Sequence, residues 1–311
     1  MFVSVDKTRS GPDVNNMYFI RSAYCQCEEN HVFVMIKLLL LIAVLAAAQG
    51  RIVENCDGVI VHNIKHDQEV LHKFDSPYQL AIDYDTNTLF FSYSTNSDNE
   101  VFKSAYINLK TNEVGIISGI AGGFANAVDS QKHKVYLGGR DGVYNFNFDS
   151  KRAEHIDGTN HNIWQLFYKD DLYYTSYPDE VAYIYKNGAS QPIPELADTK
   201  AMLIAIDNDK NIYFSNSSGL FMYKKSKQYT VNVGDYNLNG FTADSNGNLY
   251  FSTPAGIYNI KDDKKVEKLT SIDNIYGVAI EADGSIIYAS QTALVRLKPT
   301  KQYCFKDEKI F

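Results

Sequence analysis

The sequence predicts an all-β fold, a six-bladed β-propeller closed by strands from both termini, and three observations carry that prediction. A short apolar strand, an Asp- or Asn-bearing turn and a strand ending in an aromatic and a small residue recur six times after residue 75. Successive copies lie about 40 residues apart, the period of propeller blades rather than of helical solenoid repeats. Long amphipathic helical patterns are absent, whereas 23 Tyr and an alternating Val/Ile/Leu pattern suit pleated strands packed face to face.

The copies run Tyr78 to Ser92, Phe124 to Gly138, Trp164 to Thr175, Met202 to Ser215, Asn239 to Ser252 and Tyr276 to Ser290. With the aromatic of each second strand as marker (Phe90, Tyr136, Tyr173, Tyr213, Tyr250, Tyr288), the steps are 46, 37, 40, 37 and 38 residues. Polar turns separate the two strands of each copy, as in Asp83 with Asn87 or Asp283-Gly284, and suit hairpins that need positive φ. The first strand of each copy should line the central channel. The strand-like Gly58 to His62 should complete the sheet begun by the last copy, which ends in Ala293 to Leu297, because closure by both termini removes an exposed edge.

One repeat family fills nearly all of the chain after residue 55, so residues 51–311 are read as a single propeller domain. Met35-Ile36-Lys37 followed by LLLLIAVLAAAQG has the basic start, apolar run and small-residue cleavage zone of a secretory signal, assigned to residues 35–50. Residues 1–34 are then an extension of the gene model or a disordered leader. The alternative, a cytoplasmic tail with an anchor over residues 38–48, meets the objection that this run is short for a bilayer.

Charges within the first 50 residues cancel, so the domain carries the whole formal charge of −7. An acidic surface without a basic cluster argues against nucleic acid or anionic membrane as partner, and a monomer is expected. Cys25 and Cys27 fall before the domain with no second pair to build a zinc site. Cys56 and Cys304 flank the first strand and the last blade of a chain expected to be secreted and oxidised. A propeller brings its ends together, so these two cysteines should form a disulfide.

The first column of the aligned copies, Tyr78, Phe124, Trp164, Met202, Asn239 and Tyr276, should form a ring at one mouth of the channel. Four aromatics and a Met make a polarizable collar suited to a planar conjugated ligand. The next column offers Gln79 and Gln165 as hydrogen-bond handles, and Arg140 in Gly138-Gly-Arg-Asp-Gly142 could meet a ligand carboxylate. The same side chains could instead plug the channel or pack between blades, and Arg140 could pair with Asp141 in its turn.

No catalytic motif is present: there is no G-x-S-x-G, H-E-x-x-H, P-loop or G-x-G-x-x-G. No cofactor and no metal are expected, since His62 and His66 would form a metal pair only on a helix and here span a strand end. Asn216-Ser217-Ser218 is a glycosylation sequon in a surface loop. Ser176-Tyr-Pro-Asp179 is open enough to meet a protein partner.

Asn55-Cys-Asp-Gly-Val-Ile-Val61, Ser76-Pro-Tyr-Gln-Leu-Ala-Ile-Asp83 and Thr88-Leu-Phe-Phe-Ser-Tyr93, together with the secretory start, resemble the ommochrome-binding protein family of moths. The resemblance is one of overall pattern from about Met35 to Cys304. It implies a haemolymph carrier of ommochrome pigments, planar acidic phenoxazinones, on a propeller similar to those of the Yellow and gluconolactonase types. The expected function is therefore a secreted, non-enzymatic carrier of a planar aromatic molecule. The alternative is a metal-dependent lactonase or esterase, to whose site Asn126 and Asn239 could contribute.

Overall fold

In the computed structural model the chain divides into two compact units, Met1–Val53 and Glu54–Phe311, and the second forms the propeller. The structure describes residues 56–95, 101–261 and 265–304, with Lys37. Apart from Lys37, the expectations for residues 1–34, the signal over 35–50 and Cys25 and Cys27 lie outside the described residues.

Strands β1 (Val59–Val61) and β2 (Ile64–Lys73) form an N-terminal hairpin. Blade 1 consists of β3 (Pro77–Asp83), β4 (Thr88–Ser94), β5 (Phe102–Asn108) and β6 (Val114–Ile116). Blade 2 consists of β7 (Ala125–Asp129), β8 (Lys134–Gly138), β9 (Val143–Asn147) and β10 (Arg152–His155). Blade 3 is β11 (Ile163–Lys169), β12 (Asp171–Ser176), β13 (Ala182–Lys186) and β14 (Ala189–Pro192). Blade 4 is β15 (Leu203–Ile206), β16 (Ile212–Asn216), β17 (Gly219–Lys224) and β18 (Tyr229–Gly234). Blade 5 is β19 (Gly240–Ala243), β20 (Leu249–Thr253), β21 (Gly256–Ile260) and β22 (Val266–Thr270). Blade 6 joins β23 (Gly277–Ile280), β24 (Ile286–Ala289) and β25 (Ala293–Tyr303) to the N-terminal hairpin in the order β23-β24-β25-β2-β1. Among the described residues no helix is long and apolar enough to cross a membrane.

First strands of consecutive blades touch around the axis, β3 with β7, β7 with β11 and so on to β23 with β3, as the repeat predicts. The N-terminal closure differs in detail. It is β2, not the Gly58 to His62 stretch, that pairs along β25, from Ile64 opposite Tyr303 to Lys73 opposite Ala293. Strand β1 folds back outside it through His62 and Asn63, both at positive φ (48° and 62°), the two-residue turn geometry that matches strand twist. Because β2 is largely exposed and polar, it lacks the alternation that marks the other strands.

Each blade has two faces to cover, and its second strand shows how. In β4, Leu89 and Phe91 pack with Ala279, Ile287 and Leu294 of blade 6, while Phe90 between them packs with Val135, Leu137 and Phe146 of blade 2. Both faces are buried, so the strand reads as an unbroken apolar run. Residues ending the second strands are small for the same reason. A Cβ on Gly138 would lie 2.5 Å from Ile163 Cγ2 of the next blade.

Cys56 and Cys304 are joined, with Cα atoms 5.8 Å apart across 248 residues of chain. Closure also carries charge: Arg296 on β25 donates through Nε (2.6 Å) and Nη2 (2.9 Å) to Glu281, and through Nη1 to Glu69 of β2 (3.2 Å). Its Nη2 also reaches the Leu109 carbonyl of blade 1 at 3.3 Å. The hydrogen bond from Lys298, joined by that from Arg296, holds the Glu69 carboxyl below its ordinary value against the opposing cost of burial.

Breaking the disulfide by Cys304→Ser should destabilise the domain by about 5 kcal/mol on the chain-entropy estimate for so long a loop, read as a drop in denaturant midpoint. A midpoint unchanged from the oxidised protein would refute it. Glu69→Gln should cost stability at neutral pH, and the deficit should shrink as pH falls from about 4.5, where the unfolded chain begins to take up the proton, down through the lower pKa of folded Glu69. A deficit constant from pH 7 to pH 3 in urea titrations would contradict the network.

Candidate functional site at the channel mouth

The first residue of each inner strand is held at one height by its own blade. Backbone N–H groups of Phe124, Met202, Asn239 and Tyr276 donate to the carbonyls of Gly138, Ser215, Ser252 and Ala289 at 2.7 to 2.9 Å. Hydroxyls at the ends of second strands then fix the next blade: Ser92 Oγ donates to the Phe124 carbonyl (2.6 Å) and Thr175 Oγ1 to that of Met202 (2.7 Å). The repeat thus sets both the position and the level of its first-column side chains.

Four of those side chains form a continuous aromatic arc across blades 6, 1, 2 and 3. Ring centroids are 5.3 Å apart for Tyr276 and Tyr78, 5.6 Å for Tyr78 and Phe124, and 4.7 Å for Phe124 and Trp164. Phe102 adds to it, 5.8 Å from Tyr78 and 4.6 Å from Phe124, and Tyr177 extends it, 5.1 Å from Trp164. Tyr78, Trp164 and Tyr276 are half-buried and Tyr177 is exposed, so the arc presents surface to solvent. Met202 and Asn239, both half-buried, immediately precede the inner strands of blades 4 and 5. The Asn239 Nδ2 donates to the Ile275 carbonyl of blade 6 at 2.7 Å.

Phe102 and Tyr177 are the members that the repeat alignment leaves out. Both lie near where a second strand hands over to a third, Phe102 as the first residue of β5 and Tyr177 just after β12. An aromatic beside each such hand-over is the signal that could have found them.

The second column divides. Gln165 is fully buried: its Nε2 donates to the Ile204 carbonyl (3.1 Å) and its Oε1 accepts the Ile204 N–H (3.0 Å), so its amide pins blade 3 to blade 4. Asn126 acts similarly, its Nδ2 donating to the Gln79 carbonyl at 2.8 Å. Gln79 sits at φ 49° where the β3–β4 register shifts between Tyr78 and Ala81, and among the described residues its side-chain amide meets no hydrogen-bond partner. On the far side the column is filled by backbone, a Cβ on Gly240 falling 2.9 Å from the Gly277 Cα.

Arg140 is exposed on the Gly139 to Gly142 turn, anchored by its N–H to the Ala121 carbonyl (2.9 Å), with its side chain over Gly122, two residues before Phe124. Asp141 accepts the Tyr144 hydroxyl at 2.7 Å. Asn216, half-buried at the end of β16, donates through Nδ2 to the Lys200 carbonyl (3.3 Å) and accepts the Ser218 N–H (2.9 Å). His62 lies near Glu267 and His66 Nδ1 near its neighbour's carbonyl at Ile64, so these two histidines are not brought together on one ion.

Below the arc, the axis holds a cavity of about 80 Å³ lined by residues such as Ile82, Tyr84, Ala127, Phe167 and Phe241. That is room for a few waters, not for a fused tricyclic ring.

The chain is 39% identical over 210 residues to the ommochrome-binding protein of Manduca sexta, covering 66% of this chain and 76% of that protein. It belongs to the ommochrome-binding protein family. No established family model matches it. Among solved structures it resembles a gluconolactonase from Xanthomonas campestris (TM-score 0.63, 13% identity, 80% of this chain and 97% of that one). It also resembles a luciferin-regenerating enzyme (TM-score 0.56, 12% identity, 77% and 97%). At such identities the likeness is one of fold.

Within this family member the two glutamines of the second column should separate by mutation. Gln165→Leu leaves both polar groups of Ile204 unpaired and should cost about 2 to 4 kcal/mol of stability, whereas Gln79→Ala should leave the melting curve nearly unchanged. Equal losses from the two, measured by thermal denaturation, would undo the division.

Proposed function

We propose that this protein is a secreted, non-enzymatic carrier that holds an ommochrome-type pigment flat against the aromatic arc at the channel mouth. The observation that carries this reading is the run of ring contacts from Tyr276 through Tyr78 and Phe124 to Trp164, at centroid distances of 4.7 to 5.6 Å. Tyr276, Tyr78 and Trp164 are half-exposed and offer ring surface to a planar heteroaromatic molecule, with the buried Phe124 behind them. Gln79 supplies a hydrogen-bonding amide beside the arc. Arg140 supplies a local cation at its rim, which matters because a formal charge of −7 repels an acidic pigment at long range while salt screens that repulsion within about 8 Å.

Carriage outside the cell is supported by the Cys56–Cys304 bond, a feature of oxidising compartments. The lactonase reading has the fold of its neighbours in its favour. It needs carboxylates converging on the mouth, where the first column instead supplies Tyr, Phe, Trp, Met, Asn and Tyr. Asn126 and Asn239 direct their amide nitrogens to backbone carbonyls of neighbouring blades, and the Oδ1 of Asn126, the atom a cation would use, is buried without a hydrogen-bond partner, a polar feature of the channel that favours that reading.

Trp164 is the sole Trp of the chain, so its fluorescence reports directly on the arc. Titration with an ommatin should quench it saturably at micromolar pigment. Trp164→Ala should raise the Kd at least tenfold by equilibrium dialysis, with the fold retained, since stacking on one aromatic contributes about 1 to 3 kcal/mol. Absence of quenching, or unchanged affinity in the variant, would reject the proposal; turnover of a lactone at rates typical of enzymes would favour the alternative.

A further inference from the structure

On the opposite face, the hairpin of blade 1 departs from those of blades 4 and 5. Where the inner strands of blades 4 and 5 end, the turn carboxylate is fully used by its own turn. Asp207 accepts the N–H and the Nδ2 of Asn211, both at 2.8 Å, and Asp244 accepts the N–H and Nδ2 of Asn248 at 2.9 and 2.8 Å. Asp83 holds the equivalent place in blade 1 and is 0% exposed. Its Oδ2 accepts the Thr86 hydroxyl at 2.6 Å, but its Oδ1 is buried with no hydrogen-bond partner. A buried carboxylate oxygen without a donor is costly unless a cation or water completes it.

Two further ligand types converge on that carboxylate. Asp85 comes from the same turn, and His133 comes from the hairpin of blade 2, where it sits at φ 50°. His133 Nε2 is 3.0 Å from Asp85 Oδ2, and one ligand atom from each of Asp83, Asp85 and His133 lies within 4.8 Å of the others. We propose that Asp83, Asp85 and His133 form a binding site for a first-row divalent cation, Zn²⁺ by preference, that ties blade 1 to blade 2.

The donor set fits that ion. One imidazole and two carboxylates suit Zn²⁺, which takes N and O ligands at about 2.0 to 2.2 Å with a water as fourth ligand, so the three atoms would settle roughly 3.4 Å apart. The required contraction is available, because Asp85 and His133 are both exposed turn residues while Asp83 stays fixed by burial. A two-carboxylate, neutral-imidazole site carries two negative charges, which a divalent ion balances. Of the two lysines flanking His133, Lys132 pairs with Asp129 at 3.6 Å. The repeat alignment hides this site, since the histidine and the two aspartates lie on different copies about 50 residues apart.

The test is calorimetric titration of the purified, chelator-treated protein with Zn²⁺, alongside thermal denaturation. Wild type should bind one Zn²⁺ that is lost with these ligands, and saturation at 100 times the Kd should raise the Tm by several degrees. His133→Ala changes an exposed side chain, so it should melt like wild type without Zn²⁺ yet bind the ion at least tenfold more weakly and lose the Tm shift. Asp83→Asn, which keeps the shape of the buried side chain, should weaken binding likewise. Failure of wild type to bind at 100 µM Zn²⁺ would overturn the site. Equal binding by His133→Ala, or saturation by Ca²⁺ with indifference to Zn²⁺, would do the same.

Discussion

Everything in this molecule depends on closing the ring. A four-stranded blade buries apolar side chains on both faces, as β4 does with Phe90 on one side and Leu89 and Phe91 on the other, so no blade can stand at an end. The chain solves this by lending β2 to the sheet of β25, and by joining Cys56 to Cys304 where the two strands finish. Arg296 adds a charged clasp among Glu69, Glu281 and the Leu109 carbonyl, joining the N-terminal strand to blade 6 and blade 6 to blade 1 from one side chain. An open chain would expose the apolar faces of its first and last blades together with two unpaired edges.

Closure also decides what the mouth can be. When six inner strands meet around one axis, their first residues face a common space, and whatever the repeat places there becomes a ring. Tyr276, Tyr78, Phe124 and Trp164 meet in succession around the mouth, and the backbones of Tyr276 and Phe124 are held level by the ends of their second strands. The narrow axis beneath keeps that aromatic surface from being a tunnel. Two hairpins on the opposite face are brought together by the same geometry, which is how Asp83 and Asp85 of one repeat come to face His133 of the next.

Much of this was legible in the residues. The six copies, their small second-strand ends and the pairing of Cys56 with Cys304 follow from period and closure. What escaped did so for physical reasons. Strand β2 is polar and exposed along most of its length, so alternation does not reveal it. Gln165 and Gln79 are one residue type in one column, yet Gln165 bonds across to Ile204 of the next blade while Gln79 sits at φ 49° in a register shift of its own strand pair. Phe102 and Tyr177 belong to third-strand and turn positions, outside the alignment of first strands, and join the arc only because the face is shared. The Asp83 site combines residues from two repeats, and no single copy contains it.

A competing location for a small molecule exists, a cleft of about 370 Å³ between blades 4 and 5 lined by Asp207, Asn208, Tyr213, Met222, Asn248 and Ile260. It is larger than the axial cavity but offers one aromatic side chain against the arc's several. A crystal structure of the domain with a bound ommatin decides between them most directly. The account predicts ligand density lying against Tyr78, Phe124 and Trp164, with an acidic group toward Arg140. Density in the cleft between blades 4 and 5, with the arc bare, would contradict it.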